Sequence, residues 1–441
     1  MNSVEKLLQT LCPHGVEFKT LEEVFTIGNG YTPSKKNPEF WENGNIPWFR
    51  MEDIRQNGRI LEDSIQHITP KALKGGKLFP KGSIIISTTA TIGEHALLIV
   101  DSLANQRFTF LSKKVNCDIA LDEKYFFYHC FVLGEWCRKN INVSGFASVD
   151  MAAFRKYKFP LPPLEVQREI VKILDTFTEL NTELNTELKL RKKQYEYYRN
   201  WLLSFGDVDA SKEGAEQRLR DKSYPKALKA LLLSLCPHGV EFRKLGEVGR
   251  FTRGNGLLKS NLQTHGKPVV HYGQIYTRYG LATEKTISYV SETLFAKLKK
   301  AKPKDILIAV TSENVKDVGK STVWLGDEEV AFSGEMYSYS TDQNPKFIAY
   351  YFQTSKFQKE KEKIVTGTKV IRIHEDDLKQ IKIPLPPLEV QREIVKILDD
   401  FSTLTEDLSS GIPAEIAARK KQYEYYRDKL LTFTPLIKEG E

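Results

Sequence analysis

Apolar residues recur at steps of three, four and seven through Ile170, Ile173, Phe177, Leu180, Leu184, Leu188, Tyr195, Tyr198 and Leu202. Those steps are helical, and residues 164–205 contain no proline or glycine. The spacing predicts one helix of about 40 residues, roughly 60 Å long at 1.5 Å per residue. One apolar stripe on so long a helix needs another helix to cover it. The matching stretch from Leu388 onward is the expected partner, paired antiparallel. Gly411 and Pro413 should kink or interrupt that second helix.

Elsewhere the pattern alternates between strand and helix. "GSIIISTTATIGEHALLIV" and "DILIAVTSENVKDVGKSTVWL" both read as a β-branched run, a polar turn and a second β-branched run, which is a hairpin. "IPWFRM" and "KPVVHYGQIY" are further strand-like runs. "EKYFFYHCFVLGEWCRK" and "PKFIAYYFQTSKFQKEKEK" read as helices with an apolar stripe. "FTIGNGYTPS" at Phe25 answers "FTRGNGLLKS" at Phe251, and a short helix and strand lead into "PLPP" in both halves. The order of elements is the same twice. The expected fold class is α/β (α+β): two similar mixed domains separated by two long antiparallel coiled-coil helices, with a pseudo-twofold relation.

Some text repeats letter for letter. "PLPPLEVQREIVKILD" starts at Pro160 and again at Pro384, and "LCPHGVEF" at Leu11 and Leu235, both 224 residues apart. "RKKQYEYYR" starts at Arg191 and Arg419, 228 apart, so the second repeated segment is four residues longer. The chain divides accordingly into an N-terminal repeat segment (1–18), a first domain (19–159), a spacer helix (160–205), a linker with the second copy of the N-terminal segment (206–242), a second domain (243–383), a second spacer helix (384–432) and a tail (433–441). The central helix also carries "TELNTELNTEL", Thr178–Leu188, a tetrad repeat. Four residues do not fit a heptad. Each tetrad adds about 6 Å and about 40° beyond a full turn, close to the rotation of one DNA base pair at about 10.5 per turn.

Length and composition fit two or three folded domains, with 441 residues, 41% hydrophobic and 28% charged. No apolar run approaches the roughly 20 residues of a membrane helix, and the start lacks a signal-peptide core, so a cytoplasmic protein without membrane association is expected. Five cysteines suggest no disulfide framework. Cys12 and Cys236 sit in the repeated Cys-Pro-His segments, where no second pair is spaced to complete a zinc tetrahedron; a helix end and turn account for them. Of the net charge of +8, residues 19–159 carry 19 basic against 15 acidic side chains and residues 243–383 carry 24 against 16. The basic excess lies in the two divergent blocks, as two nucleic-acid-binding surfaces would show.

Catalytic signatures are absent. "NVKDVGKST" has Asn314 where a phosphate-binding loop needs its first glycine, and it lies between two strand-like runs. The bare Gly-x-Gly at Gly28 and at Gly254 lacks a third glycine. No Asn/Asp-Pro-Pro-aromatic tetrapeptide of an amino-methyltransferase occurs. A nuclease-like Glu-x-Lys end could be assembled only at Glu360–Lys363, which reads as the solvated face of a helix.

The paired "PLPPLEVQREIVKILD" helix starts, the paired "RKKQYEYYR" stretches, two divergent domains of about 140 residues and the central tetrads together resemble the specificity subunits of type I restriction–modification enzymes. "GNGYTPSKKNPEFWENGNIPWFRMEDI" and "STTATIGEHA" also look like that family's first-domain pattern. The resemblance covers nearly the whole chain. It implies a subunit that is not itself catalytic, with two target recognition domains each reading half of a split site in double-stranded DNA. The helices would space them and dock two methyltransferase subunits, and two motor-nuclease subunits would join for restriction. S-adenosylmethionine, ATP and Mg²⁺ would belong to those partners, with no cofactor on this chain. Tetrad number would set the unread gap. A protein-binding scaffold and a self-sufficient methylating enzyme are the alternatives. Steep salt dependence separates DNA binding from the first, and failure to bind S-adenosylmethionine dismisses the second.

Base reading needs donors and acceptors that reach base edges, and phosphate contacts need positive or small polar groups. The candidates in the first domain are Lys35, Lys36, Arg50, Thr88, Thr89, Thr91, Asn105, Gln106 and Arg107. In the second they are Arg253, Lys259, Gln274, Tyr276, Arg278, Ser312, Asn314 and Lys316. Separately, the candidates for spacing and partner docking on the two helices are Leu180, Leu184, Leu188, Tyr195, Tyr198, Tyr423 and Tyr426.

Overall fold

The computed structural model describes residues 3–142, 147–205, 224–406 and 410–436. They fall into two units, Met1–Asn185 with Ile416–Glu441, and Thr186–Glu415. In the first unit a five-stranded sheet runs in the order Phe25–Asn29, Phe108–Lys113, Ile84–Ser87, His95–Leu98, Ile60–Leu61. Only the last pair is parallel. The second unit repeats it as Gly249–Arg253, Met336–Thr341, Ile306–Ala309, Ser321–Trp324, Ala282–Thr283, again with only the last pair parallel. Both hairpins expected from the β-branched runs are present. Each unit is one copy of the same mixed α/β domain.

The ladder corrects one match made from the letters. Phe25 pairs with Lys113 and Gly249 with Thr341, so the partner of Phe25 is Gly249 rather than Phe251. The Gly30 N–H donates to Phe108 O and the Gly254 N–H to Met336 O, each at 3.0 Å. Gly30 and Gly254 therefore hold the same position, and the two Gly-Asn-Gly motifs are out of step by two residues. Close backbone approach demands glycine at this one place. A Cβ would lie 2.2 Å from Ala104 O at Gly30 and 2.1 Å from Ser333 O at Gly254.

In the first unit the helix Glu123–Lys139 contributes Tyr125, Phe126, Cys130 and Leu133 to the core beside Ile84, Ile86 and Leu111. The second unit was expected to use one helix here and uses two, Pro345–Phe352 and Ser355–Ile364. Thr354 stands at the break, and its hydroxyl accepts from the Phe357 N–H, capping the second helix.

Leu164–Leu202 is a single helix of 39 residues. Val166, Gln167, Ile170 and Leu174 at its start are fully buried, as are Val390, Gln391, Ile394 and Leu398 in the second copy. In the second copy the described residues form the helices Leu388–Glu406 and Ile412–Leu430, with Ser410 and Gly411 outside them. Pro413 sits in the new helix's first turn, where its missing N–H costs nothing. Helix pairing is antiparallel. In the first unit the Phe177 ring meets Tyr426 at 5.6 Å and Tyr423 at 6.4 Å, while Leu174 clusters with Leu430 and Leu431. In the second, Tyr198 meets Phe401 at 5.4 Å.

The apolar stripe departs from its expected line. Leu174, not Ile173, is the fully buried residue, and Leu180 is 38% exposed. Leu184 and Leu188 are half-buried, so the tetrad leucines are covered less fully than the helix start.

Candidate nucleic-acid interface

In the first unit, backbone hydrogen bonds bring the candidate residues of four loops together. Tyr31 N–H donates to Ala104 O at 2.9 Å, Asn105 N–H to Phe49 O at 3.0 Å, and Thr88 N–H to Arg107 O at 3.1 Å. The Thr32 hydroxyl also donates to Gln106 Oε1. Loops 31–36, 49–50, 88–91 and 105–107 thus form one cluster. Lys35, Lys36, Gln106 and Arg107 are exposed there, and Thr89, Thr91 and Asn105 half-exposed. Arg50 caps the helix Met51–Asn57 through its backbone and lies 5.8 Å from the Trp48 ring. Thr88 is turned inward, its hydroxyl 2.9 Å from that of Thr109, which donates to Asn29 Oδ1 at 3.0 Å.

The second unit gathers its candidates less completely. Arg253 Nε donates to Gly334 O at 3.4 Å, and Arg253, Lys259, Arg278, Asn314 and Lys316 are exposed. Tyr276 donates to Thr311 O at 2.6 Å, and burial pushes its phenol up. Gln274 is occupied by the fold. Its Oε1 accepts from His271 N–H at 3.1 Å and its amide donates to Ser288 at 2.6 Å. Burial, with Lys259 adding to it, holds His271 below its ordinary pKa. Ser312 is buried in a strand paired with Ile371–Arg372. Asn314 and Asp317 exchange two hydrogen bonds of 2.8 Å, which set the hairpin tip. The Lys320 ammonium, then Asn314, keeps the Asp317 carboxyl below the usual range.

One residue read as solvated is not. Lys361 of "EKEK" is 1% exposed, while Glu360, Glu362 and Lys363 are exposed. Its ammonium donates to Gln358 Oε1 at 2.5 Å and to Lys316 O at 3.4 Å, beneath the hairpin tip. Burial lowers its pKa to about 8. In the first unit the exposed Arg138 donates to Ile92 O at 3.2 Å. Sequence reasoning also passed over Thr32, Thr311 and Glu335, whose partners lie far away in the chain.

The repeated text builds the same joints twice. Gln167 donates to Ala120 O at 3.0 Å and Pro162 O at 2.7 Å and accepts from Asp122 N–H at 2.8 Å. Gln391 donates to Gln343 Oε1 at 2.8 Å and Pro386 O at 2.7 Å and accepts from Asn344 N–H at 3.0 Å. Much of the repeated segment's identity therefore serves packing. Among the docking candidates, Tyr195 is buried, and Leu184, Leu188, Tyr198, Tyr423 and Tyr426 are half-buried. The outward residues of the two "YEYY" runs are Tyr197 and Tyr425, each 63% exposed. Among the described residues no group of three or more His, Cys, Asp or Glu side chains could hold a metal ion, and no helix is long and apolar enough to cross a membrane.

A family model described as the type I restriction modification DNA specificity domain matches residues 13–191 and 237–418. The Escherichia coli type I restriction enzyme EcoprrI specificity subunit is 55% identical over 230 residues, which span 50% of this chain and 56% of that one. A Haemophilus influenzae protein provisionally named a type I restriction enzyme specificity subunit is 28% identical over 98% of both chains. A chain solved in work on complex assembly and conformational transition of the type I R-M system has the same fold. Its TM-score is 0.62 at 19% identity, covering 95% of this chain and 97% of that chain.

Proposed function

Because this chain belongs to the type I restriction modification DNA specificity family, we propose that it reads a two-part DNA site as the specificity subunit of a type I restriction–modification complex. Each α/β unit reads one half-site. The long helices hold the unread gap and dock two methyltransferase subunits, and two motor-nuclease subunits join for restriction. S-adenosylmethionine, ATP and Mg²⁺ serve those partners, and this chain contributes recognition rather than catalysis. It works in the cytoplasm, where its DNA is.

One observation carries this reading. Two units share a strand order and the joints to their helices, yet differ in the side chains their loops present. Shared joints suit a symmetric pair of partners, and different loops suit two different half-sites. Sequencing of modified adenines in cells expressing this chain with its methyltransferase subunits tests it. The expected result is methylation at a single motif of two fixed halves and a fixed gap. Methylation outside any two-part motif, or independent of this chain, overturns it.

A further inference from the structure

The two units carry opposite charges at one ladder position. In the first, Thr88 N–H donates to Arg107 O at 3.1 Å and Val149 N–H to Thr88 O at 2.9 Å. In the second, Val310 N–H donates to Glu335 O at 3.0 Å and Ile373 N–H to Val310 O at 3.1 Å. Arg107 and Glu335 are therefore equivalent. Both directly precede the residue whose carbonyl receives the N–H of Gly30 or Gly254.

Each side chain is presented on a fixed base. The Arg107 backbone is held at both ends, its N–H donating to Asn105 Oδ1 at 3.0 Å and its carbonyl accepting from Thr88. Its guanidinium is exposed, with no hydrogen-bond or ion-pair partner among the described residues. Glu335 is half-buried and accepts from the Thr311 hydroxyl. Thr311 is steadied in turn by Tyr276, whose hydroxyl donates to its carbonyl at 2.6 Å.

Arginine beside DNA serves a phosphate as readily as a base. A carboxylate does not, since phosphates repel it, and the acceptor capacity that the Thr311 hydroxyl leaves open on Glu335 suits a base amino group. The shared ladder position places Arg107 at the same point of its unit as Glu335.

We propose that this position reads one base in each half-site: Arg107 takes guanine through O6 and N7, and Glu335 takes the N4 amino group of cytosine. The assignment rests on the reading of the units as DNA readers. Thr311 and Tyr276 are positioning residues that aim the carboxylate.

The full chain, co-expressed with its methyltransferase subunits, is tested as wild type, R107Q, E335Q and Y276F by mapping modified adenines. Glutamine pairs with adenine in the same bidentate way that arginine pairs with guanine. In R107Q the preference for one guanine in the first half-site should fall about ten- to a hundredfold, with the second half-site unchanged. E335Q should do the same at one cytosine of the second half-site. Y276F should relax that same cytosine more weakly, whereas a purely structural tyrosine would leave the motif intact. If R107Q and E335Q keep both half-sites letter for letter, the assignment is overturned while the two-reader function stands. A wild-type chain that yields no two-part motif defeats that function instead. Should a variant lose modification altogether, binding by the purified complex decides. Loss confined to the specific duplex supports the assignment. Equal weakening on unrelated duplexes, with the salt slope lowered by about one, marks a phosphate contact and overturns it.

Discussion

The Tyr128 hydroxyl donates to Asp175 Oδ1 at 2.7 Å, and Tyr350 donates to Asp399 Oδ1 at the same distance. Lys124 and Lys346 each reach the other oxygen of that carboxylate, also at 2.7 Å. The aspartate that ends each "KILD" thus ties a spacer helix to the helix packed against its own domain's sheet. Hydrogen bonds to a charged group contribute about 1.5–3 kcal/mol each. Tyr128→Phe and Tyr350→Phe should each lower unfolding stability by roughly that amount, read as a shift in denaturant midpoint at unchanged slope. A silent Tyr128→Phe would show that the joint carries no stability.

The buried amides should matter as much. Gln167→Leu removes the partner of Ala120 O, Pro162 O and Asp122 N–H together. Each orphaned buried group costs about 1–3 kcal/mol. Thermal unfolding should shift down by several degrees, and Gln391→Leu should match it in the second unit. Equal stability of wild type and both variants would refute the locking role.

The tetrads give a geometric prediction. The boundary between the two units, at Asn185 and Thr186, falls inside Thr178–Leu188. Deleting Asn181–Leu184 removes about 6 Å and about 40° of helix. The methylated motif should keep both halves and lose about one base pair of gap. An unchanged gap would remove the spacing role of this helix.

Tyr197 and Tyr425 should be partner contacts rather than fold contacts. Both are 63% exposed, while Tyr195, three places from Tyr198, is 3% exposed. Exposed tyrosines in duplicated surroundings suit hot spots, worth about 2 kcal/mol on truncation. Tyr197→Ala or Tyr425→Ala should each weaken one methyltransferase subunit roughly thirtyfold in a titration of complex assembly, with stability unaltered. Full affinity at both sites would move the docking surface elsewhere.

Acid should destabilise the first unit. Burial, with Arg59 nearby, depresses His95 from 6.5 to about 3, and burial alone depresses His129 to about 3. His95 Nε2 and His129 Nδ1 have no hydrogen-bond partner among the described residues. The unfolded chain binds these protons first, so stability is full above about pH 6.5 and falls as pH drops toward 3. Together the two histidines cost on the order of 4 kcal/mol at pH 5. Urea titrations from pH 7 to 5 should show that slope, and His95→Gln with His129→Gln should flatten it. A wild-type slope near zero would contradict the burial of both rings.

Local periodicity and exact repetition made much of the architecture legible. The unbroken helix from Leu164, the interruption of its second copy before Pro413, both hairpins and the duplicated order of elements depend on neighbouring residues and their spacing. The candidate site was legible only as a set of loops. Its committed side chains were hidden, because Thr88 and Thr109, Gln274 and Ser288, or Lys361 and Lys316 O meet across 14 to 45 residues of chain.

The letters alone determined that there are two similar domains and two helices. Tertiary structure decided which residues correspond between the domains. Matching "GNG" to "GNG" is wrong by two places, because the inter-strand ladder, not local composition, assigns Gly30 to Gly254 and Arg107 to Glu335. A strand's register is set by the backbone it pairs with, and that partner lies elsewhere in the chain.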